Sequence, residues 1–232
     1  YQYEDFNEVS PGVFVLKNGI PNNTKERNTI QPGDMKLRDI NGDGKVTAED
    51  QTVIGHGLPI HTGGFTNNFS YKGFDLSIFF QWSYGNDVIN YNRAKLEDLR
   101  GQHTNQLASA MNHWTPRVDN GDGTYTEGNY TNYLCAVNRN LTNLNTSRVV
   151  EDASFLRLKN VQLGYNFPVK LIKRIGISSL RLYVSGQNLW TWTKYTGYDP
   201  EVSTRNSALT RGFDYSAYPK TTSYTFGIKL GL

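Results

Sequence analysis

An all-β fold of antiparallel strands, each with one apolar and one polar face, is what this sequence predicts, and three observations predict it. Residues 221–232 alternate strictly, with Tyr224, Phe226, Ile228, Leu230 and Leu232 on one face and Thr225, Gly227, Lys229 and Gly231 on the other. Phe74, Leu76, Ile78, Phe80 and Trp82 alternate in the same way against Asp75, Ser77, Phe79, Gln81 and Ser83. The connections are lopsided: tight at Lys72-Gly73 and compact at 168–178, long at 84–153 and 193–220. Short turns at one end of a sheet and long loops at the other are the layout of an outer-membrane barrel, whose walls turn apolar residues to lipid and polar ones inward. The closing stretch taken alone also suits the last strand of a soluble sandwich; the loop alternation favours a transmembrane wall.

The bulk numbers leave that reading open and close others. The chain has 232 residues, 37% hydrophobic, with 15 Tyr, 11 Phe and 22 Gly, and a mean hydropathy of -0.58. That is the make-up of a β protein with long polar loops. No run reaches the roughly 18 apolar residues of a membrane helix. A net charge of +3 without blocks of like charge argues against a nucleic-acid partner. Cys135 stands alone, so no intrachain disulfide is expected. The first residue is Tyr1 with no signal peptide, so a processed or partial chain is expected.

Taken in order, residues 1–35 carry turn punctuation around one apolar patch, Val13 to Leu16, and read as loop with a small hairpin. The next stretch is the sharpest motif. Asp39, Asn41, Asp43, Lys45, Thr47 and Asp50 occupy positions 1, 3, 5, 7, 9 and 12 of a twelve-residue loop, with Gly44 at position 6. Calcium takes six to eight oxygens, and this spacing wraps side-chain oxygens around one point, with Lys45 contributing only its carbonyl. Val46 is expected to pack the loop against a neighbour. Thr47 is expected to open a short helix with Asp50 in a capping box. Asp50 is shorter than the usual bidentate Glu, as in a dockerin-type loop. An Asx-rich turn without an ion is the alternative.

A hairpin over 65–82 follows, its strands long enough to span a bilayer, with Trp82 at one end and Tyr71 and Phe74 at the other as interfacial aromatics. Within 84–153, helices are expected over 93–100, stopped by Gly101, and from a Thr104 cap to Trp114. Asp119 to Gly123 reads as a hairpin turn. In 154–167, Leu156 and Leu158 are out of phase with Val161, Leu163, Tyr165 and Phe167, which predicts a bulge near Lys159-Asn160. A basic turn at 168–178, a strand from Leu180 to Trp192, a polar loop and the closing strand complete the chain.

In this order the sequence resembles the carboxy-terminal portion of a SusC/RagA-type TonB-dependent outer-membrane transporter. The resemblance lies in Pro32-Gly33-Asp34 leading into Asp39 to Gly44, in Thr52 to Gly55, and in the hairpin from Phe69 to Ser77. Trp114-Thr115-Pro116, Phe155 to Asn160, Gly186 to Leu189 and Tyr218-Pro219 continue it. Leu232, where an aromatic is common, and the Asp119–Gly123 insertion depart from the pattern. The resemblance implies a plugged barrel of about 22 strands, of which this chain would supply about five. It also implies that the strands need the amino-terminal plug and earlier strands, because an open edge in lipid leaves backbone groups unpaired. Residues 1–63 would then be an extracellular region bearing the calcium loop, and 64–232 the barrel strands with their long extracellular loops.

The function so implied is import of glycan or peptide fragments across the outer membrane of a Gram-negative cell. A SusD-like lipoprotein would form the lid, TonB would pull from inside through the missing plug, and lipid would surround the wall. Asp75 and Gln81 would face the lumen and calcium would stiffen an outer loop. A soluble, calcium-stabilised carbohydrate-binding or dockerin-like module is the alternative. A hydrolase is not expected: Glu97, Asp98, Asp199 and Glu201 read as solvated surface acids, and His56, His61, His103 and His113, taken as loop residues, lack zinc spacing. The substrate-binding residues stay unidentified; Tyr195, Tyr198, Tyr215 and Tyr218 suit sugar stacking or packing under a lid equally well.

Overall fold

At Lys72 and Gly73 the backbone takes φ of 45° and 90°, the double positive φ that a two-residue hairpin turn requires and that glycine adopts without strain. This turn joins two of the long strands of a computed structural model that describes residues 1–23, 25–100, 105–131, 134–137, 146–201 and 211–231. The strands in chain order are β1 (Phe6–Ser10), β2 (Val13–Leu16), β3 (His61–Tyr71), β4 (Phe74–Tyr84), β5 (Asp87–Asn90), β6 (Val118–Asp119), β7 (Tyr125–Thr126), β8 (Val150–Asp152), β9 (Phe155–Asn166), β10 (Ser179–Thr193), β11 (Phe213–Asp214) and β12 (Ser223–Gly231). Two short α-helices, α1 (Tyr91–Leu96) and α2 (Val169–Ile172), lie in the connections.

Five strands form one antiparallel sheet in the order β12-β10-β9-β4-β3. These are the five the hydrophobic alternation marks, and β3 reaches back to His61, so that histidine is a strand residue rather than a loop one. The sheet stays open, with β3 and β12 as its edges. Register carries the apolar phase across every strand: Phe69 pairs with Leu76, Leu76 with Leu163, Leu163 with Val184, and Val184 with Phe226.

The phase conflict in β9 is resolved where the sequence locates it. Against β4 the pairing steps from Phe79↔Asn160 to Phe80↔Leu158, skipping Lys159. On the other side β10 bulges too, from Gln187 to Trp190, with Asn188 at φ 52°. Lys159 is the extra residue that keeps Leu156 and Leu158 on the apolar face beside Trp192 and Trp190, while β10 passes two residues, Asn188 and Leu189, and keeps its phase.

The resulting face is greasy and uncovered: Phe226 is 80% exposed and Ile228 72%. Aromatics collect at its two ends. Phe74 and Tyr165 touch at the short-turn end, ring centroids 4.5 Å apart, while Trp82, Trp190 and Trp192 lie at the loop end. From Phe74 to Trp82 the strand runs about 26 Å at the usual rise per residue. The opposite face is polar, and on it aromatic rings cover backbone where side chains are missing. A Cβ on Gly227 would fall 2.2 Å from the Tyr183 ring, its direct cross-strand neighbour.

Contacts divide the chain into two units, residues 1–54 with 91–149, and residues 55–90 with 150–232. The second contains the sheet and a small three-stranded one, β11-β5-β8, in which β11 and β5 are parallel. In the first, β1 and β2 form the expected hairpin over a core of Tyr1, Phe6, Leu16 and Ile30. Its helices are shorter than the sequence suggests. The expected 93–100 helix is α1, ending at Leu96, and the 3-10 turn Ala108–Met111 stands where a helix to Trp114 was expected. Loop contacts fix these segments instead, such as the Leu107 amide on the Leu96 carbonyl (2.9 Å). The Gly101 stop, the Thr104 cap, His103 and Leu232 lie outside the described residues.

Candidate functional site: the polar wall and the Asp39–Asp50 loop

The polar face of the sheet carries charge in pairs. Arg181 on β10 meets Asp75 on β4, and Asn166 donates to Asp75 at 3.0 Å. Nearer the long loops, Arg157 of β9 is almost wholly buried and binds two acids of the 194–222 connection, Asp199 at 2.6 Å and Glu201 at 3.2 Å. Its Nε donates to Thr191 Oγ1 at 2.9 Å. Lys220 also bonds Glu201, and Gln81 reaches the same carboxylate at 3.4 Å. Asp199 further accepts the amides of Glu201 (2.9 Å) and Lys220 (3.2 Å). Burial pushes the Asp199 carboxyl upward, but the Glu201 amide and the Arg157 guanidinium outweigh it and hold the group below the usual carboxylate range.

Asp199 is therefore a buried anchor rather than a solvated surface acid. Glu97 is another correction: it is buried and ion-paired to Arg93 (3.2 Å) and Arg148 (2.5 Å). Asp98 pairs with Arg100 at 2.6 Å. The missed signal for the Arg157 cluster is an arginine between Leu156 and Leu158 in the polar phase of β9, which once buried has to find a carboxylate.

A second anchor lies beside the small sheet. The Tyr195 hydroxyl donates to Asp214 Oδ2 at 2.6 Å, both groups buried. Burial and the Asp214 carboxylate push that phenol well above its ordinary range. Among the described residues the other oxygen of Asp214 has no partner. Glu151 accepts the amide of Thr196 at 2.8 Å and Nδ2 of Asn90 at 3.2 Å. Tyr195 is thus committed to packing, whereas Tyr198 and Tyr218 are 83% and 84% exposed.

In the other unit, the Asp39–Asp50 loop folds by Asx turns. Asp39 accepts the amides of Gly42 (2.7 Å) and Gly44 (2.8 Å), Asn41 that of Asp43 (2.9 Å), and Asp43 that of Lys45 (2.8 Å). Asp50 closes the loop, its two oxygens taking the amides of Ile40 (2.8 Å) and Thr47 (2.7 Å). Those two amides, Thr47 first, pull the Asp50 carboxyl below its ordinary range. Thr47 caps the 3-10 turn Ala48–Asp50 in the expected capping box. Val46 is buried, and Asn22 pairs with the loop through the Gly44 carbonyl (3.3 Å) and the Val46 amide (3.1 Å).

For an ion, the donor set is hard oxygen of the right kind, and each carboxylate oxygen that accepts one amide retains a lone pair. The carboxylates do not converge, however: among the described residues no group of three or more His, Cys, Asp or Glu lies close enough to hold a metal.

No family model matches the chain. Curated relatives do. The chain is 37% identical over 204 residues to the TonB-dependent receptor P3 of Formosa agariphila, covering 86% of this chain and 19% of that receptor. It is 26% identical over 207 residues to the TonB-dependent receptor SusC of Bacteroides thetaiotaomicron, covering 86% of this chain and 18% of SusC. Among solved structures it resembles the RagAB peptide importer in its closed-closed state, with a TM-score of 0.65 and 28% identity over 85% of this chain and 20% of the other. The chain spans about a fifth of the length of the receptors it matches, and these relatives are receptors and importers, not enzymes. In sequence and in strand layout, this chain belongs to the SusC/RagA type of TonB-dependent receptor, and its open antiparallel sheet is similar to a fragment of the RagA barrel.

Proposed function

We propose that the sheet is part of the wall of an outer-membrane importer driven by TonB, taking in glycan or peptide fragments beneath a SusD-like lipoprotein lid. The observation that carries this reading is the apolar face continuous across five paired strands, exposed and edged by aromatics at both ends. In water so large an apolar patch is unfavourable at about 25 cal/mol per Å²; facing hydrocarbon it is not. The open edges β3 and β12 require further strands, because unpaired backbone groups in lipid cost several kcal/mol each. Those strands, the plug and the TonB contact belong to the longer receptor. The long connections would face outward, Tyr198 and Tyr218 offering exposed rings to lid or cargo.

The Asp39–Asp50 loop would take calcium through Asp39, Asn41, Asp43, the Lys45 carbonyl, Thr47 and Asp50, which would have to draw together around the ion. Its role would be to stiffen the loop. The alternative of a soluble calcium-stabilised module is disfavoured by the uncovered apolar face.

The test uses the full-length receptor. Cells carrying it and cells lacking it are fed a mixed glycan and peptide digest, and the depleted components are identified by mass spectrometry with and without a protonophore. Receptor-dependent, protonophore-sensitive depletion, with the protein in the outer-membrane fraction, is expected. A receptor that fractionates as a soluble monomer, or equal depletion by both strains, overturns the reading.

A further inference from the structure

Resting on the importer reading, we propose that the compact turn between β9 and β10 is a lipid contact. Lys170, Lys173 and Arg174 bind the phosphate headgroups of anionic phospholipid in the leaflet on the short-turn side, and Val169, Leu171 and Ile175 enter the edge of its hydrocarbon.

The turn has a fixed fold. α2 passes into a 3-10 turn, Lys173–Ile175, which Gly176 ends at φ 78°. The Ile177 amide returns to the Ile172 carbonyl (3.3 Å), and the Ser178 amide is tied to the Gly231 carbonyl (2.9 Å). Ile172 is buried beneath it, yet Val169, Leu171 and Ile175 stay uncovered, the last two at 67% and 70% exposure. Further barrel strands would not cover them, because β9 and β10 are interior strands already paired on both sides. The apolar face runs straight into this turn. Along β9 it ends at Tyr165 and Phe167, ring centroids 4.9 Å apart, with Phe74 against Tyr165. Pro168 follows at once, where an aromatic girdle gives way to headgroups.

Charge selects the lipid. Residues 167–181 contain no Asp or Glu, and among the described residues Lys170, Lys173 and Arg174 have no ion pair or side-chain hydrogen bond. Asp75, at the same end of the sheet, is held by Arg181 and Asn166. The neighbouring turn adds Lys72, its ammonium over the Tyr71 ring at 5.2 Å, and is joined to β9 by the Asn166 amide on the Gly73 carbonyl (2.8 Å). A zwitterionic headgroup brings no net charge to neutralise such a cluster, whereas an anionic one does. Exposed aliphatic side chains beside unpaired cations are the pairing that holds an amphipathic segment at a membrane surface.

The experiment is native mass spectrometry of the purified full-length receptor in detergent, titrated with phosphatidylglycerol or with phosphatidylcholine. Wild type should retain phosphatidylglycerol more tightly. Lys170→Gln, Lys173→Gln and Arg174→Gln combined should weaken that retention about tenfold, since each basic residue near an anionic surface adds attraction. Leu171→Ser with Ile175→Ser should weaken it about threefold at unchanged charge. Lys170→Arg with Lys173→Arg should keep it, and Lys194→Gln, at the other end of β10, should leave it unchanged. Equal affinity for the two lipids overturns the site. Equal affinity in wild type and the triple Gln variant does so too, and is the result expected if the plug or a periplasmic protein covers the turn. Glycerol phosphate that displaces the lipid at equal concentration overturns lipid as the occupant in favour of free phosphate. A receptor that fractionates as soluble sinks the importer reading, whereas a membrane-bound receptor without lipid preference sinks only this site.

Discussion

Arg157 and Asp199, 42 positions apart in sequence, meet at 2.6 Å with both side chains buried, so that one strand residue ties a long connection to the polar face of the sheet. Removing one member leaves the other charge buried and uncompensated, which typically costs about 3–5 kcal/mol. Asp199→Ala in the full-length receptor should lower the temperature at which the folded, fast-migrating gel form is lost. The paired replacement Arg157→Met with Asp199→Leu should recover most of that loss. If the double variant is no better than the single one, the pair does not act as a closed unit.

The same anchor has a pH signature. Because the Asp199 carboxyl is held below its unfolded value, its contribution is fully present above the ordinary carboxylate pKa of about 4 and is lost as pH falls through the lower, folded value. Limited proteolysis between residues 194 and 222 should be unchanged from pH 7 to about 5 and rise steeply only in more acid solution. Asp199→Asn should be cleaved readily at every pH.

Five strands, two kinds of turn and the β9 bulge were legible because each rests on local alternation: Leu158 and Val161 cannot share a face without an extra residue between them. The capping box at Thr47 and Asp50 was legible for the same reason, its two members being three positions apart. The Arg157 network was not, because its acids come from a connection whose path no local pattern sets, and an isolated Asp199 looks like any loop acid. The helix expected up to Trp114 failed on the same ground: propensity favoured it, while contacts to distant backbone held the chain otherwise. Side-chain type showed that the Asp39–Asp50 stretch is an oxygen-rich loop; whether its carboxylates close on an ion depends on displacements that spacing does not encode.

That loop allows the ligands to be separated from the scaffold. Among the described residues Asp43 holds only the Lys45 amide, whereas Asp50 closes both ends of the loop. Asp43→Ala should lower calcium affinity at least tenfold in calorimetry yet leave the loop resistant to protease without calcium. Asp50→Ala should open it to protease whether or not calcium is present. A calcium titration indistinguishable between wild type and Asp43→Ala would leave the loop as an Asx-turn scaffold alone.

On the polar face of the sheet, Tyr183 lies across Gly227, where an added Cβ would come within 2.2 Å of its ring. Gly227→Val forces the ring aside and should destabilise the barrel by about 1–3 kcal/mol, the usual scale of overpacking. Shrinking the ring should relieve it, so Gly227→Val with Tyr183→Ala should be less damaged than the sum of the two single changes, read from heat-modified gel mobility. Additive losses would show that Gly227 is needed for backbone freedom and not for the ring.

The sharpest discrimination between wall and soluble core comes from neighbours on one strand. Ile78 pairs with Asn67 and Val161 in the middle of the apolar face, while Ser77, one residue away, pairs with Asn68 and Gln162 on the polar one. A lysine at position 78 would carry its charge to the centre of the hydrocarbon, at a cost of about 2–4 kcal/mol, whereas a lysine on the lumen side would meet water and cost little. Ile78→Lys should therefore reduce the folded receptor recovered from outer membranes, and Ser77→Lys should leave the yield near wild type. A soluble sandwich that buries the apolar face would also reject Ile78→Lys, so the two are separated by where the wild-type receptor is recovered: in the detergent-extracted outer-membrane fraction for a wall, and in the detergent-free soluble fraction for a sandwich.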